Sequence, residues 1–351
     1  MKLYPAISGL VICLLGCATP KKPDTAEDAF QPPESIQDII DKANAGDPEA
    51  QLHMASLHFD GLGVERNYEK VFYWAKKAAE QDQARGMYIV AMHHGYGIGG
   101  EKDLVKARHW LRKGAEHGNV PSMHSLAGML ARGQGGETNE VGALKWLRVS
   151  AELGLPESQG ILGSVYHEGL YGMDKNSAEG FKWFLRSAEQ GDPHGQHLTA
   201  LCYLNGWGVE KDLKKMESWK VKAAEAGHLQ AQVNMSVMLI KGEHLEKDPA
   251  RATRFLEMAA RQGHVIAQED LALYYFQASD GEKDLAKAFF WASVAKDRSE
   301  KAKTIIDQVS VDLEPQVILE QMIKADEYLE ENKPPSELPS ESLPKNLFKQ
   351  K

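Results

Sequence analysis

The feature that most constrains this chain is an aromatic residue that recurs at a nearly fixed interval. The steps are 36 residues long, except for one of 37 between Trp146 and Trp183, and the series is Trp74, Trp110, Trp146, Trp183, Trp219, Phe255 and Trp291. A second series of small turn residues keeps the same register: Gly46, Asp82, Gly118, Gly154, Gly191, Gly227, Gly263 and Asp297. A fixed period of about 20–50 residues is typical of stacked repeats. The spacing therefore predicts one array of units, and not the two domains that 351 residues would otherwise suggest.

Each unit has the pattern of two helices joined by a glycine turn. Small and apolar residues in the first half recur at i, i+4, i+5 and i+8, as in Ala267, Leu271, Ala272 and Tyr275, which is one face of an α-helix. A Gly-x-Gly turn follows, as at Gly206 and Gly208, because a short connection of this kind needs a positive φ. The residues interpreted as N-caps of the second helices are Asn67, Asp103, Asn139, Asn176, Asp212, Asp248 and Asp284.

These residues resemble the Sel-1-like repeat, a relative of the tetratricopeptide repeat. The closest matches to the family pattern are residues 59–81, 95–118 and 203–228, and the resemblance covers about 48–297. It implies an all-α fold, a right-handed α-solenoid of about seven helix–turn–helix Sel-1-like repeats, and a function in binding a protein partner. Departures are one extra residue in the fourth unit, His244 in place of a turn glycine in the sixth, and both turn glycines missing from the last.

The segments that flank the repeats have their own compositions. We expect an N-terminal capping helix over residues 35–47, the solenoid over 48–298, and C-terminal capping helices over 299–331. Residues 332–351 contain four prolines and little apolar content, which predicts a disordered tail.

The N-terminus has the features of a targeting segment. Residues 1–16 carry a lysine followed by a short apolar run, and they end in Leu14-Leu15-Gly16 before Cys17. This resembles a bacterial lipobox, which implies lipidation of Cys17, a tether over residues 17–34, and a place in the cell envelope, with Ala18 favouring the outer membrane. The alternative is ordinary secretion with cleavage after Ala18. Cys202 then has no intrachain partner, and a buried apolar thiol is favoured over a reactive one.

Composition and motifs argue against several other functions. The net charge of −9 speaks against nucleic acid, which requires a basic surface. Ser293 and Lys296 match S-x-x-K, but the companion motifs of penicillin-binding proteins are absent. His194 and His197 are too few for a zinc site, and no cofactor motif is present. We therefore expect no enzyme activity, no cofactor and no metal; an envelope hydrolase is the weakest alternative.

Two groups of residues are candidates for partner binding. Trp207 and Tyr171 lie between turn glycines, where an exposed aromatic side chain would anchor a partner; the alternative is that Trp207 packs on the adjacent unit's turn. First-helix side chains at variable positions are expected to line the extended concave face of the repeats: Tyr88, Met92, His124, Gln159 and His197. A protein partner is the leading hypothesis, and a glycan or cell-wall ligand stacking on Trp207 and Tyr171 is the alternative.

Overall fold

The computed structural model describes residues 35–98, 101–278 and 283–332. The predicted signal peptide, Cys17 and the tether lie outside these ranges, as does the tail from residue 333. Within them the chain forms α-helices and no strand: α1 Ile36–Asn44, α2 Pro48–Asp60, α3 Tyr68–Ala79, α4 Ala84–Tyr96, α5 Leu104–Glu116, α6 Val120–Arg132, α7 Glu140–Glu152, α8 Pro156–Glu168, α9 Ser177–Glu189, α10 Pro193–Asn205, α11 Leu213–Glu225, α12 Leu229–Lys241, α13 Pro249–Arg261, α14 Val265–Gln277, α15 Leu285–Ala295, α16 Glu300–Ser310 and α17 Pro315–Glu331. The all-α prediction is confirmed.

Contacts between residues group the helices into two compact units, divided between Trp146 and Leu147 inside α7. In the first unit, each helix from α1 to α6 packs against its neighbours in sequence. In the second unit the same holds from α8 to α15, after which α16 packs on α14 and α15, and α17 packs on α15. Stacking of consecutive helix pairs is thus the organising principle within each unit.

The second helix of each repeat begins where the acidic or amide residue was predicted to cap it. At α11, Asp212 Oδ1 accepts a hydrogen bond from the backbone N–H of Lys215 at 2.9 Å. Such caps satisfy one of the otherwise unpaired N–H groups at a helix start. The same bond, to the N–H three residues later, is made by Asn67, Asp103, Asn139, Asn176, Asp248 and Asp284.

The turn glycines have the positive φ angles that the pattern requires. Gly208 has φ +70°, and a Cβ there would run into the backbone carbonyl of Ser177 in the preceding repeat. His244, which replaces the equivalent glycine in the sixth repeat, still adopts φ +67°. The turn geometry is therefore kept where its glycine is lost, at the energetic cost of a left-handed non-glycine residue.

The core of each unit consists of the repeated aromatic residues and paired alanines, as expected. Trp74, Trp183, Phe255 and Trp291 are buried, and the other three aromatics of the series are half-buried. The alanine pairs Ala78–Ala79, Ala223–Ala224 and Ala259–Ala260 are almost completely buried. Cys202 is also buried, and burial raises the pKa of its thiol to about 12, which agrees with an inert apolar cysteine. Among the helices of the described ranges, none is long and apolar enough to cross a bilayer.

A buried glutamine links successive repeats. In the sixth repeat, Gln232 Nε2 donates to the carbonyl of Ala224 at 2.8 Å, while its Oε1 accepts from Gln262 Nε2 at 2.7 Å. One side chain thus joins the helix before it to the turn after it. We call the residues at this fourth position of a first helix the clamp glutamines: Gln51, Gln159, Gln196, Gln232 and Gln268.

Candidate interaction surface

Four of the five predicted first-helix candidates are buried, so the prediction that they line an open face is wrong for them. Tyr88 and Met92 lie inside the first unit at 4% and 6% exposure. Gln159 is a clamp glutamine, and His197 stacks on another imidazole. For Tyr88, Gln159 and His197 the reason is the register, because the fourth and fifth positions of a first helix face the neighbouring helix pair. Met92 is at the ninth position and is buried on α4, as is Ile89 at the sixth. His124, on α6, is half-buried.

Trp207 also adopts the packed alternative. Its ring is half-buried and lies 4.5 Å from the His167 ring of the preceding repeat, centroid to centroid, with the planes tilted by 38°. Tyr171 is half-buried with φ +55° in the lengthened turn. The backbone N–H of Trp207 donates a hydrogen bond to the carbonyl of Cys202. In the fourth repeat the equivalent bond runs from the backbone N–H of Leu170 to the carbonyl of Val165. Leu170 is therefore the true equivalent of Trp207, since the extra residue shifts Tyr171 by one place. One face of the Trp207 ring is already covered by His167.

The sixth and ninth positions of the first helices are at least partly exposed on every first helix except α4, where Ile89 and Met92 are buried. In the second unit, five of these positions carry aliphatic side chains, which we call the apolar strip: Ile161, Leu198, Leu201, Val237 and Leu273. Ile161 is 41% exposed, and the other four are half-buried. In the first unit the outward positions that are not buried carry polar or small residues: His53, Ser56, Ser125 and Gly128.

The strip is continuous with a shallow hollow between α12 and α14. Val237 and Leu273 line this hollow, which has a volume of about 360 Å³, together with Ile240 and Tyr274. Asp270 lies on its edge, and Lys301 Nζ approaches the Asp270 carboxylate to 3.7 Å. Burial raises the pKa of Asp270, opposed by the charge of Lys301. The hollow is therefore lined mainly by apolar side chains, with polar groups from Asp270, Lys241, Gln277 and Ser236 as well.

A second hollow, in the first unit, has a different character. It has a volume of about 580 Å³ and is lined by charged side chains as well as by Phe72 and two histidines. The charged members are Glu69, Glu101, Lys102, Asp103 and Lys106. His93, at its base, is buried, and its ring nitrogen Nδ1 lies 3.0 Å from the carbonyl of Ile98. Desolvation lowers the pKa of His93 to about 4, so this ring is neutral at physiological pH.

Tertiary packing adds a third imidazole to the pair noted in the sequence. His228, the N-cap of α12, lies 4.4 Å from the His197 ring at an angle of 15° and 5.8 Å from the His194 ring at 23°. We call these three rings the histidine stack. Rings that lie face to face do not direct their in-plane lone pairs to a common point. Within the described ranges no group of three or more His, Cys, Asp or Glu is arranged to hold a metal ion.

Sequence reasoning missed both the strip and the stack. The strip was visible as aliphatic residues at the sixth and ninth positions of the later first helices, once the register was fixed. The stack was not, because His228 lies 31 residues after His197 and nothing local links them.

These features define an α-helical repeat protein, of the class called α-solenoids. Sel1 repeats match residues 48–83, 84–119, 120–155, 156–192, 193–228, 229–264 and 265–299, so the chain belongs to the Sel1 repeat family. Among solved structures, it is similar to a Sel1 repeat protein from Oxalobacter formigenes, at 28% identity and a TM-score of 0.59 over 64% of this chain and 96% of that one. It is also similar to c5321, described as a protective antigen present in uropathogenic Escherichia coli strains, at 25% identity and a TM-score of 0.50 over 84% of this chain and 71% of that one. No protein of curated function matches the chain.

Proposed function

We propose that this protein is a lipid-anchored interaction scaffold of the bacterial cell envelope that binds a protein partner through the apolar strip. Sel1 repeats generally mediate protein–protein interaction, and the family is typically non-catalytic. The observation that carries the choice of surface is that aliphatic side chains at the sixth and ninth positions are partly exposed in the second unit, whereas those of the first unit, Ile89 and Met92, are buried. The part of each aliphatic side chain that stays exposed adds nothing to the repeat core, so a row of such side chains favours a partner that covers them.

The partner that fits this surface presents apolar side chains. Four of the five strip residues are half-buried, so the surrounding helices already restrict their side chains. Binding a partner there therefore costs little side-chain entropy on the side of this protein. The hollow beside Val237 and Leu273 gives room for one larger apolar side chain at the end of the strip. This is the helix-in-groove type of recognition, in which a few apolar anchors supply most of the binding energy.

Site-specific photocrosslinking in intact cells tests the surface. We expect a photoreactive residue at Ile161 to give an adduct with one partner, whereas the same residue at Ser125 does not. Ser125 is the matched control, because it occupies the same sixth position in the first unit. Adducts of equal yield from both positions, or none from Ile161, would contradict the proposal.

A charge substitution sharpens the same test. Ile161→Glu places a carboxylate on the strip at a position that is 41% exposed, so the fold should tolerate it. We expect partner binding to fall about tenfold or more, which corresponds to roughly 1.4 kcal/mol. Val141→Glu, at an 80% exposed aliphatic residue on α7, serves as the control and should bind as the parent does.

The anchoring part of the proposal is supported by the lipobox-like Leu14-Leu15-Gly16-Cys17 sequence. Cys17→Ala should release the protein from the membrane fraction and abolish incorporation of a labelled fatty acid. Cys13→Ala, a substitution within the apolar run of the signal, should change neither. A parent protein that incorporates no labelled fatty acid would exclude lipid as the anchor.

A further inference from the structure

The histidine stack lies where the fifth repeat meets the sixth, beside the apolar strip. His194 precedes the strip residue Leu198 by one helical turn, and His197 is adjacent to Leu198 on α10. The third ring, His228, begins α12, the helix that carries Val237. The stack therefore joins two first helices that both contribute to the strip.

The packing beneath the stack is polar where other repeats are apolar. Lys220 is 2% exposed, and its Nζ lies 3.6 Å from the thioether of Met238. The residues at the equivalent position of the other repeats are Ala75, Leu111, Leu147, Phe184, Leu256 and Ala292. Thr199 is likewise polar at the seventh position of its helix, where the equivalents are Met54, Val90, Leu126, Leu162, Met235 and Leu271.

Several buried polar atoms in this repeat have no hydrogen-bond partner among the described residues. They are Gln196 Oε1, His197 Nδ1 and Thr199 Oγ1, each in a side chain at 7% exposure or less. Unpaired buried polar atoms reduce the stability of the region that contains them. This junction is thus stabilised less than the others and responds to a smaller perturbation.

Protonation of the stack adds positive charge with little to compensate it. Two charged side chains lie close enough to affect the stack: Asp192, the N-cap of α10, acts on His228, and Lys220 on α11 acts on His197. Asp192 is already engaged, because its Oδ2 accepts from the N–H of Gly195 and the hydroxyl of Ser187 at 2.6 and 2.9 Å. His228 Nδ1 accepts the N–H of Ala231 at 3.1 Å, so a proton on that nitrogen would also break the cap of α12.

Burial and the neighbouring positive groups both lower the pKa of the stacked imidazoles. The pKa of His197 is lowered to about 3, and the pKa of His228 is lowered as well. Since both lie below the ordinary histidine value of about 6.5, an opened junction takes up protons before the closed one does. The closed junction is therefore fully stable above about pH 6.5 and loses stability as the pH falls below it.

We propose that the histidine stack is an acid-sensitive switch between the fifth and sixth repeats, and that its opening disrupts the apolar strip and releases the partner. The regulatory role rests on the function proposed for the strip, but the switch itself is testable without a partner. Cys202 supplies the reporter, because its thiol is buried in α10 between the stack and the end of the helix.

The experiment uses the full chain carrying Cys13→Ala and Cys17→Ala, in mild detergent, so that Cys202 is the sole thiol. The rate of its reaction with 4,4′-dithiodipyridine is measured at pH 7.5 and 5.5, relative to the denatured protein at each pH. We expect the relative rate to rise about tenfold in acid, since one proton taken up on opening changes the equilibrium tenfold per pH unit below about 6.5, and pH 5.5 lies one unit below that value.

Two matched variants identify the group responsible. His228→Asn retains a cap, as Asn119 does at the equivalent position by accepting the N–H of Ser122, and should weaken the acid response to the part that comes from His197. His264→Asn changes the same cap position one repeat later, outside the stack, and should keep the response. An acid response that is absent from the parent, or equal in His228→Asn and the parent, overturns the switch.

Crosslinking from Ile161 at the two pH values tests the switch separately from the proposed binding of a partner to the apolar strip. An adduct at pH 7.5 that is lost at pH 5.5, and retained there in His228→Asn, supports the regulation. An adduct equal at both pH values overturns the regulation and leaves the strip as the partner site. No adduct at either pH overturns the proposed function, whatever the Cys202 reaction shows.

Discussion

The two units are built from the same repeat, yet they differ in the residues that their first helices expose. The sixth residue of the first helix is Ser125 in the first unit and Leu198 in the second, and the ninth is Gly128 in one and Leu201 in the other. Residues that face the next repeat must keep their size, because packing leaves no room for change. Outward residues are free of that limit, so the differences between the units there are consistent with the binding surface proposed above.

The units also differ at one core position, where the first unit follows the repeat and the second departs from it. The residue after the repeated aromatic is Leu111 in one and Lys220 in the other, at 1% and 2% exposure. Burying an amine costs free energy that a leucine does not. The second unit therefore combines a polar, less stable junction with an apolar surface.

The largest expected effect comes from exchanging these two residues. Leu111→Lys should lower the free energy of unfolding by about 4 kcal/mol, since it buries an amine with no prepared partner. Lys220→Leu should raise it by about 1–2 kcal/mol at pH 7. Burial lowers the pKa of Lys220, so the deficit of the parent relative to Lys220→Leu should shrink as the pH rises toward 10. Denaturant unfolding at pH 7 and 10 measures this, and a deficit independent of pH would contradict it.

The turn glycines provide the next comparison. Gly208→Ala should cost about 3 kcal/mol, because the left-handed conformation and a clash with the Ser177 backbone add together. Gly63→Ala has the same sign of φ but meets only the end of the Ile36 side chain, so about 1 kcal/mol is expected. Chemical denaturation of both variants checks the difference, and equal costs would show that the backbone contact is unimportant.

Acid should destabilise the first unit through His93. Its pKa of about 4 lies below the ordinary value, so the unfolded chain binds the proton first, and stability is lost as the pH falls from about 6.5 toward 4. The loss from this one group is up to about 3 kcal/mol. His93→Met, which copies Met129 at the equivalent position, should flatten that part of the profile. Thermal melts from pH 7.5 to 4.5 provide the measurement, and an unchanged slope would assign the acid sensitivity elsewhere.

The smallest effect concerns the clamp glutamines. Gln51 Oε1 accepts from Gln81 Nε2 at 3.0 Å, but Gln196 Oε1 has no partner in the described chain, since the equivalent donor position is Ala226. Ala226→Gln should therefore stabilise the protein by about 1 kcal/mol, and Gln81→Ala should destabilise it by about 1–2 kcal/mol. Calorimetry of the two variants tests this pair of opposite shifts; a loss of stability in Ala226→Gln would mean that the new side chain does not reach.

The sequence predicted most of the repeat architecture and little of the site. The aromatic ladder, the caps such as Asp212 and the Gly-x-Gly turns are local signals with a fixed period, and each is present where it was expected. The first-helix candidates failed because Tyr88 and Met92 were chosen as variable residues, and variability alone does not distinguish an outward position from one that faces a neighbour.

What the sequence determined by itself is the repeat: its period, its two helices, its turns and its family, because these depend on residues close together in the chain. What only the tertiary structure decided is which side chains remain exposed and which distant ones meet. Trp207 is covered by His167, and His228 joins His194 and His197, through the stacking of one repeat on the next. Stacking brings together residues some 30–40 positions apart, and a local pattern carries no information about contacts at that separation.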